Sequence, residues 1–267
     1  MKTLTMLLCA LLVAGTMIAQ DGATEAKETA AGLYNDGLTS LKAKEYANAY
    51  DLLMKSMEVA DPTEDADVLR LARANFVIAA YYAGTADSKG GQHDAALAKF
   101  EKGLEIDSTS YTNYSGKAKT LSEKGMKLDA INAYFVAADL ATAVGKEDRA
   151  KSYAKRASAI VSKLYTGKKY DDAIAGAEAY LASGNDSENI RYYLAKSLVK
   201  NGKASDALVH AEKAMELGGD ASEGKFIYTY AEIMEAAGKK DAAKAIYAKV
   251  PPGKYHESAQ YKAKEGN

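Results

Sequence analysis

The sequence contains no tryptophan, only three prolines and a single cysteine in 267 residues. Proline interrupts helices, and no stretch shows the strict alternation of apolar and polar residues that indicates a half-buried strand. The cysteine, Cys9, lies in an N-terminal apolar run, so the remainder of the chain has no thiol for a disulfide or for nucleophilic catalysis. These absences exclude a disulfide scaffold and favour an all-α fold.

The sequence also lacks an excess of charge of either sign, because 35 lysines and arginines are balanced by 36 acidic residues. A balanced chain offers no extended basic field, so we expect no nucleic-acid partner. The three histidines, His93, His210 and His256, are far apart and have no carboxylate or cysteine at metal-ligand spacing. A glycine-rich phosphate loop is also missing. The sequence therefore predicts no metal, no cofactor and no catalytic site.

Carboxylates are concentrated in the run from Asp61 to Asp67, which has four acidic residues among seven. Its spacing does not follow the calcium loop of EF-hands, and the glycine needed for the sharp turn of that loop is missing. Carboxylates at the start of a helix stabilise its unpaired N–H groups. We therefore expect this run to cap the helix that follows it.

The N-terminus has the features of a secretory signal peptide. A positive start at Lys2 precedes an apolar run from Leu4 to Ile18, and Ala19 followed by Gln20 offers a cleavage point. A retained anchor is the alternative, but the run is shorter than the roughly 18 to 20 residues that span a bilayer. The sequence thus predicts a signal peptide at 1–19, a polar linker at 20–29, and export to the periplasm or the exterior without stable membrane insertion.

Alanine recurs at a regular position in six helix-like stretches. The intervals between these alanines are 47, 34, 43, 34 and 36 residues, and a period in this range indicates an α-solenoid. Two stretches, 192–217 and 227–250, show the unit most clearly, with a first helix that ends near a glycine and a second that begins a few residues later. The six alanines are Ala49, Ala96, Ala130, Ala173, Ala207 and Ala243.

These residues resemble the tetratricopeptide repeat, which has a small residue midway along its first helix and two small residues flanking a bulky one on its second. The small positions of the first helix are Gly37, Ala79, Ala118, Ala195 and Ala231; the late small positions of the second are Ser56, Gly103, Ala137 and Ala214; and the bulky positions are Leu53, Phe100, Tyr134 and Tyr247. Small residues let two helices approach closely, and the bulky residues fill the space between successive hairpins.

The resemblance implies an all-α, α-α superhelix of about six helix-turn-helix repeats within residues 30–267. The expected repeats are 30–62, 68–108, 111–144, 150–183, 188–220 and 224–250, followed by a capping helix at 254–266. The fourth repeat departs most from the pattern, with Val161 and Tyr180 at positions for small residues. The wide intervals predict an inserted flexible loop from Ala83 to Gly91 and a long connection from Ala141 to Asp148.

The family resemblance implies a binding wall built from the first helix of each repeat. Aromatic residues flanked by long charged side chains suit an extended peptide or a partner helix. The alternative is that the aromatic rings pack between neighbouring hairpins. The candidate residues are Tyr34, Phe76, Lys119, Tyr192, Lys196, Lys200, Tyr228 and Glu232, and Lys42 is expected beside them.

The wall is expected to be interrupted, because the third and fourth repeats have Ser115 and Ser158 where the other repeats have an aromatic residue. A repeat array varies this wall on a constant frame, so the fold indicates binding without naming the partner. We expect a non-catalytic scaffold for a protein or peptide in the cell envelope or outside the cell. The alternatives are a structural subunit that assembles edge to edge through incomplete end repeats and, less favoured, a glycan-binding protein or an enzyme.

Overall fold

The computed structural model describes residues 28–218 and 224–264. The predicted signal peptide and most of the predicted linker lie outside the described residues. Within the described residues the chain forms thirteen helices and no strand, so the all-α prediction is confirmed. The helices are α1 (Ala30–Lys42), α2 (Tyr46–Val59), α3 (Ala66–Lys89), α4 (His93–Ile106), α5 (Tyr111–Glu123), α6 (Lys127–Ala143), α7 (Glu147–Thr166), α8 (Tyr170–Ala182), α9 (Glu188–Lys200), α10 (Ala204–Gly218), α11 (Lys225–Ala236), α12 (Lys240–Tyr247) and α13 (His256–Lys264).

The chain forms two compact units, one that ends at Ala83 and one that begins at Gly84, so the division falls within α3. In the first unit, α1 packs along α2. In the second unit, each helix from α4 onward packs against the next one, and α6, α7 and α9 also contact the next but one. Contacts limited to near neighbours along the chain are the pattern of stacked helical hairpins. The last helix, α13, packs on α12 at the end of this stack.

Small residues lie buried at the close approaches between helices. The six repeated alanines are each at most 1% exposed, and the small residues of the first helices are buried as well. A side chain added at Gly37 would place its Cβ 2.8 Å from Leu53 Cγ, and one added at Gly116 would lie 2.4 Å from Phe100 Cε1. The bulky residues therefore occupy space that the small residues leave open, which is ridge-into-groove packing at short range.

The prediction of two long connections, which was based on the alanine intervals, is wrong. Helix α3 continues through the expected loop to Lys89, and only three residues connect it to α4. Gly84 lies inside this helix because a Cβ there would be 2.8 Å from Phe100 Cε1, so this glycine permits close packing instead of marking a loop. The other connection, after Ala143, is also only three residues long. The extra residues lengthen α3 to 24 residues and α7 to 20.

The turn inside each hairpin contains one residue with left-handed backbone. Gly202 (φ 74°) and Gly238 (φ 79°) take this conformation in the fifth and sixth hairpins, and equivalent glycines do so in the second and third. Lys44 (φ 64°) and Lys168 (φ 60°) take it in the first and fourth. Only glycine adopts this region without a steric penalty, so the two lysines are conformationally strained.

The fourth hairpin accommodates its unusual residues by exchanging a large and a small side chain. Tyr180 and Ala177, one turn apart on α8, are both buried, as is Val161 on α7. The Tyr180 ring packs on Phe135 with ring centroids 3.9 Å apart, and its hydroxyl donates to the Asp186 carbonyl at 3.1 Å. Burial raises the pKa of Tyr180 to about 12. The bulky and small positions have thus swapped along α8, which preserves the volume of the core.

The acidic run before α3 forms hydrogen bonds to the backbone of the turn. The Asp61 carboxylate accepts from the N–H groups of Thr63 at 2.8 Å and Glu64 at 2.9 Å, which lowers the pKa of Asp61. The Asp65 carboxylate accepts from the Asp61 N–H at 3.1 Å. These carboxylates therefore act locally on the backbone that leads into α3.

Candidate functional site

The first helices of the last three hairpins border one groove in the second unit. Helix α9 lies in the middle, in contact with α7 and with α11. On α9 and on α11, residues three and four positions apart share a face, so each helix presents a short row of side chains to the same space. The groove has a volume of about 290 Å³ and is lined by Tyr165 from α7, by Lys196, Val199 and Lys200 from α9, and by Thr229, Glu232 and Ile233 from α11. We call it the α7–α9–α11 groove.

Lys196 is held in this groove by two aromatic rings. Its Nζ lies 5.2 Å from the ring centroid of Tyr165 and 5.1 Å from that of Tyr192, and it donates to the Tyr192 hydroxyl at 3.2 Å. Ammonium groups are attracted to the faces of aromatic rings at such distances. Burial lowers the pKa of Lys196, but Tyr192, Tyr165 and Glu232 together outweigh this effect, so the pKa is raised. Lys196 is therefore a fixed cation that retains free N–H donors.

A second lysine contacts the same tyrosine. The Nζ of Lys225, at the start of α11, lies 4.0 Å from the Tyr192 ring centroid and 4.9 Å from that of Phe226. Burial lowers the pKa of Lys225, and the nearby charge of Lys196 lowers it further. Two cations are thus gathered around one ring at the edge of the groove, which gives this end of the site a positive potential.

Glu232 supplies the negative charge in the groove. Its side chain is exposed at the opening, yet the surrounding walls remove part of its hydration and raise the pKa of its carboxyl, while Lys196 acts in the opposite direction. Lys200, one turn after Lys196, is exposed. The groove therefore combines hydrogen-bond donors and an acceptor of opposite charge around an apolar floor of Val199 and Ile233.

Three of the eight predicted site residues, Lys196, Lys200 and Glu232, meet in this groove, and Tyr192 lies beside them. Tyr192 is only 9% exposed, so its main contribution is to position Lys196, and little of its ring is accessible to a ligand. Tyr228 is half-buried between the rings of Tyr247 and Tyr255, each 5.4 Å away between centroids. These two tyrosines therefore follow the alternative prediction, in which the aromatic rings pack against neighbouring hairpins.

The other predicted residues lie elsewhere. Phe76 is fully buried against Tyr50, and Tyr34 is buried with its hydroxyl 3.4 Å from the Asn75 amide nitrogen, which donates to it. Both belong to the first unit, where they pack in the core. Lys119, on α5, pairs with Glu123 at 2.7 Å and does not line the groove.

Sequence reasoning missed Tyr165, Val199, Thr229 and Ile233 as groove residues. A signal was present for Tyr165, because it follows Val161 by four residues on α7, as Val199 follows Ala195 on α9. Helices in successive repeats present equivalent positions to the same wall. Comparison by position, without regard to residue type, would have identified this tyrosine in the fourth repeat.

The histidines are placed apart and interact locally. His210 has its Nδ1 3.0 Å from Arg191 Nη1, and burial together with the Arg191 charge lowers the pKa of His210. His256 has its Nδ1 2.9 Å from the Val250 carbonyl. Within the part of the chain that the structure describes, no three His, Cys, Asp or Glu side chains converge to hold a metal ion. No helix in this same part is long and apolar enough to cross a bilayer.

Several solved tetratricopeptide repeat structures are similar to this chain at low identity. YrrB, described as a TPR protein with an unusual peptide-binding site, is 23% identical over 61% of this chain and 79% of its own, with a TM-score of 0.41. The C-terminal part of a TPR protein from Cytophaga hutchinsonii is 18% identical over 81% and 77%, with a TM-score of 0.41. A tetratricopeptide repeat protein from Parabacteroides merdae is 15% identical over 88% and 97%, with a TM-score of 0.33. No family model and no curated protein matches the chain.

Successive helices form hairpins in the predicted order, and small residues are buried at the predicted positions between them. The fold is therefore an all-α array of helix-turn-helix hairpins, as the resemblance to the tetratricopeptide repeat implied. In this array α7, α9 and α11 are the first helices of the fourth, fifth and sixth hairpins, and the groove lies on the wall that they form.

Proposed function

We propose that this chain is a non-catalytic scaffold that binds a protein or an extended peptide in the α7–α9–α11 groove. The observation that carries the proposal is the meeting of Lys196, Lys200 and Glu232, drawn from two successive hairpins, around one open groove. The sequence of the N-terminal segment adds the proposal that this binding takes place in the cell envelope or outside the cell.

The lining of the groove suits a polypeptide backbone with mixed side chains. Lys196 and Lys200 supply donors, Glu232 supplies an acceptor, and Val199 with Ile233 provides an apolar floor. Polar groups placed around an apolar floor fix the orientation of a ligand, while the floor gains from its desolvation. Lys196 is already positioned by Tyr165 and Tyr192, so little side-chain entropy is lost when it binds.

The test is selection of binders from a random peptide library with the full native chain as bait. Affinities of the selected peptides are then measured for a variant with Lys200→Glu and Glu232→Lys, both at exposed positions. Circular dichroism confirms that the variant retains its helices. A matched control carries Lys203→Glu and Glu212→Lys, two exposed residues outside the groove. Reversal of the two groove charges is expected to weaken binding at least about tenfold, and the control should remain close to native.

The position of the bound peptide provides a second measurement. Crosslinks from the peptide should fall on α7, α9 and α11. If selected peptides bound the groove variant and the native chain equally, or crosslinked to other helices, the proposed site would be wrong.

A further inference from the structure

Basic residues are concentrated on α7 and its two flanking turns. Residues 146–169 contain eight lysines and arginines and only two acidic residues, while the remaining 243 residues contain 27 basic and 34 acidic ones. The near-zero net charge of the chain therefore conceals one segment of strongly positive charge in an otherwise acidic molecule. The eight cations are Lys146, Arg149, Lys151, Lys155, Arg156, Lys163, Lys168 and Lys169.

All eight cations are exposed, and none of them forms an ion pair with another described residue. Elsewhere in the second unit, lysines such as Lys117, Lys124 and Lys262 pair with carboxylates. The two acidic residues of the segment, Glu147 and Asp148, lie in the first turn of α7, where carboxylates favour the helix itself. The positive charge of this segment is thus left without neutralising partners in the fold.

The helix arranges part of this charge in a line. Arg149, Arg156 and Lys163 follow one another at intervals of seven residues, which is close to two full turns, so they share one edge of α7 over about 21 Å. Tyr153 and Ile160, each four residues after one of these arginines, are buried in the core beside this line, while Lys151 and Lys155 lie farther around the exposed side of the helix. The cations therefore project away from the array along the exposed side of one rigid helix.

The side chains between the cations are small. Ser152, Ala159 and Thr166 occupy the exposed positions along the line, and no tryptophan, phenylalanine or leucine is exposed on this side of α7. Protein interfaces depend on buried aromatic or large apolar residues and are depleted in lysine. A flat anionic surface requires no such anchors, because clusters of four to eight lysines and arginines hold it through charge alone. Val144, 57% exposed in the preceding turn, adds one apolar side chain beside the cations.

We propose that the exposed basic side of α7 binds the surface of an anionic phospholipid bilayer. The interaction is electrostatic and peripheral, and the excess of acidic residues elsewhere in the chain orients α7 toward the lipid. This site is separate from the α7–α9–α11 groove and does not depend on a peptide ligand.

The test is cosedimentation of the full native chain with vesicles of phosphatidylcholine alone and of phosphatidylcholine mixed with phosphatidylglycerol. One variant replaces three α7 cations, and a control of equal charge change replaces three exposed lysines on other segments. The α7 variant is Arg149→Gln, Arg156→Gln and Lys163→Gln, and the control is Lys203→Gln, Lys239→Gln and Lys249→Gln. Circular dichroism confirms that each variant retains its helices.

The native chain is expected to bind the vesicles that contain phosphatidylglycerol and to be released by salt. Loss of three cations should weaken binding about a hundredfold, at about fivefold for each residue, while the control should bind like the native chain. Equal effects of the two variants, or no binding of the native chain to anionic vesicles at low salt, would overturn the proposal. Binding to double-stranded DNA but not to vesicles would also overturn it and assign the surface to nucleic acid.

Discussion

The packing of Phe100 against Gly116 allows one stability prediction to be developed from the geometry. The Phe100 side chain is fully buried in the second unit, and a Cβ placed on Gly116 would lie 2.4 Å from its Cε1 and 2.6 Å from its Cζ. The same Cε1 lies 2.8 Å from a Cβ built on Gly84. The ring is therefore confined between glycines on α3 and α5 and has little room to move away from a new methyl group.

Two opposing effects decide the result of Gly116→Ala. Alanine in place of glycine inside a helix stabilises it by about 1 kcal/mol. Overpacking of a filled core costs about 1 to 3 kcal/mol. Because the clash here is with a confined ring, we expect the second effect to dominate and the free energy of unfolding to fall by about 1 kcal/mol.

In a Phe100→Leu background, which has a shorter side chain at this position, Gly116→Ala should stabilise the protein instead of destabilising it. Leucine removes the two atoms closest to the added methyl group, Cε1 and Cζ, and leaves only the position of Cδ1, at 3.0 Å, nearby. Gly116→Ala in this background should therefore gain the helix propensity of about 1 kcal/mol. The coupling between the two substitutions is then about 2 kcal/mol, within the usual range for residues in contact. Ser115→Ala, at the adjacent half-buried position, is the control and should change stability little.

The assay is urea unfolding of the four proteins of the cycle, followed by circular dichroism. Repeat arrays can unfold in stages, so the transition that contains α4 and α5 is the one compared. A stabilising effect of Gly116→Ala in the native background would refute the argument, because it would show that the helices separate at no significant cost. Additive effects of the two substitutions would refute it as well.

Two further perturbations test local features. The Glu235 carboxylate accepts hydrogen bonds from Lys262 Nζ at 2.8 Å and from the Tyr247 hydroxyl at 3.0 Å, and these bonds lower the pKa of the Glu235 carboxyl from its ordinary 4.5. Their contribution of about 0.5 kcal/mol to stability is therefore present above that pH and is lost as the pH falls. Thermal midpoints of the native chain and of Glu235→Gln should differ at neutral pH and converge in acid; a constant difference would contradict this. In the first hairpin, Lys44→Gly should raise the free energy of unfolding by about 0.5 to 1 kcal/mol in a denaturant titration, because it relieves the left-handed strain, whereas a loss would contradict it.

The frame of the array was predictable because close packing needs small residues at fixed positions. Ala49 and Ala195 are buried as the repeat pattern requires, and Phe100 fills the space between helices. The lengths of the helices were harder to predict, because a glycine such as Gly84 is compatible with a loop and also with a closely packed helix. A glycine favours a loop by its flexibility and favours close packing by its lack of a side chain, and only the neighbouring Phe100 ring distinguishes the two.

The candidate groove was predictable in part for a related reason. Position along the helix identified Lys196, Lys200 and Glu232, since these side chains follow the small residue of their helix by one to five places. Residue type misled for Phe76 and Tyr34, because an aromatic ring at such a position either lines a wall or fills the core. Whether the ring lines the wall or fills the core depends on the side chains that the neighbouring hairpin places around it.

The basic side of α7 is not visible in the net charge of the whole chain. A net charge near zero excluded a nucleic-acid field, but the sum says nothing about how 35 cations and 36 anions are distributed. The alignment of these charges emerges only once α7 is known to begin at Glu147 and to continue to Thr166, since the helix then places Arg149, Arg156 and Lys163 on one edge. Binding to anionic vesicles should therefore depend on the helical continuity of α7 as well as on its lysines and arginines.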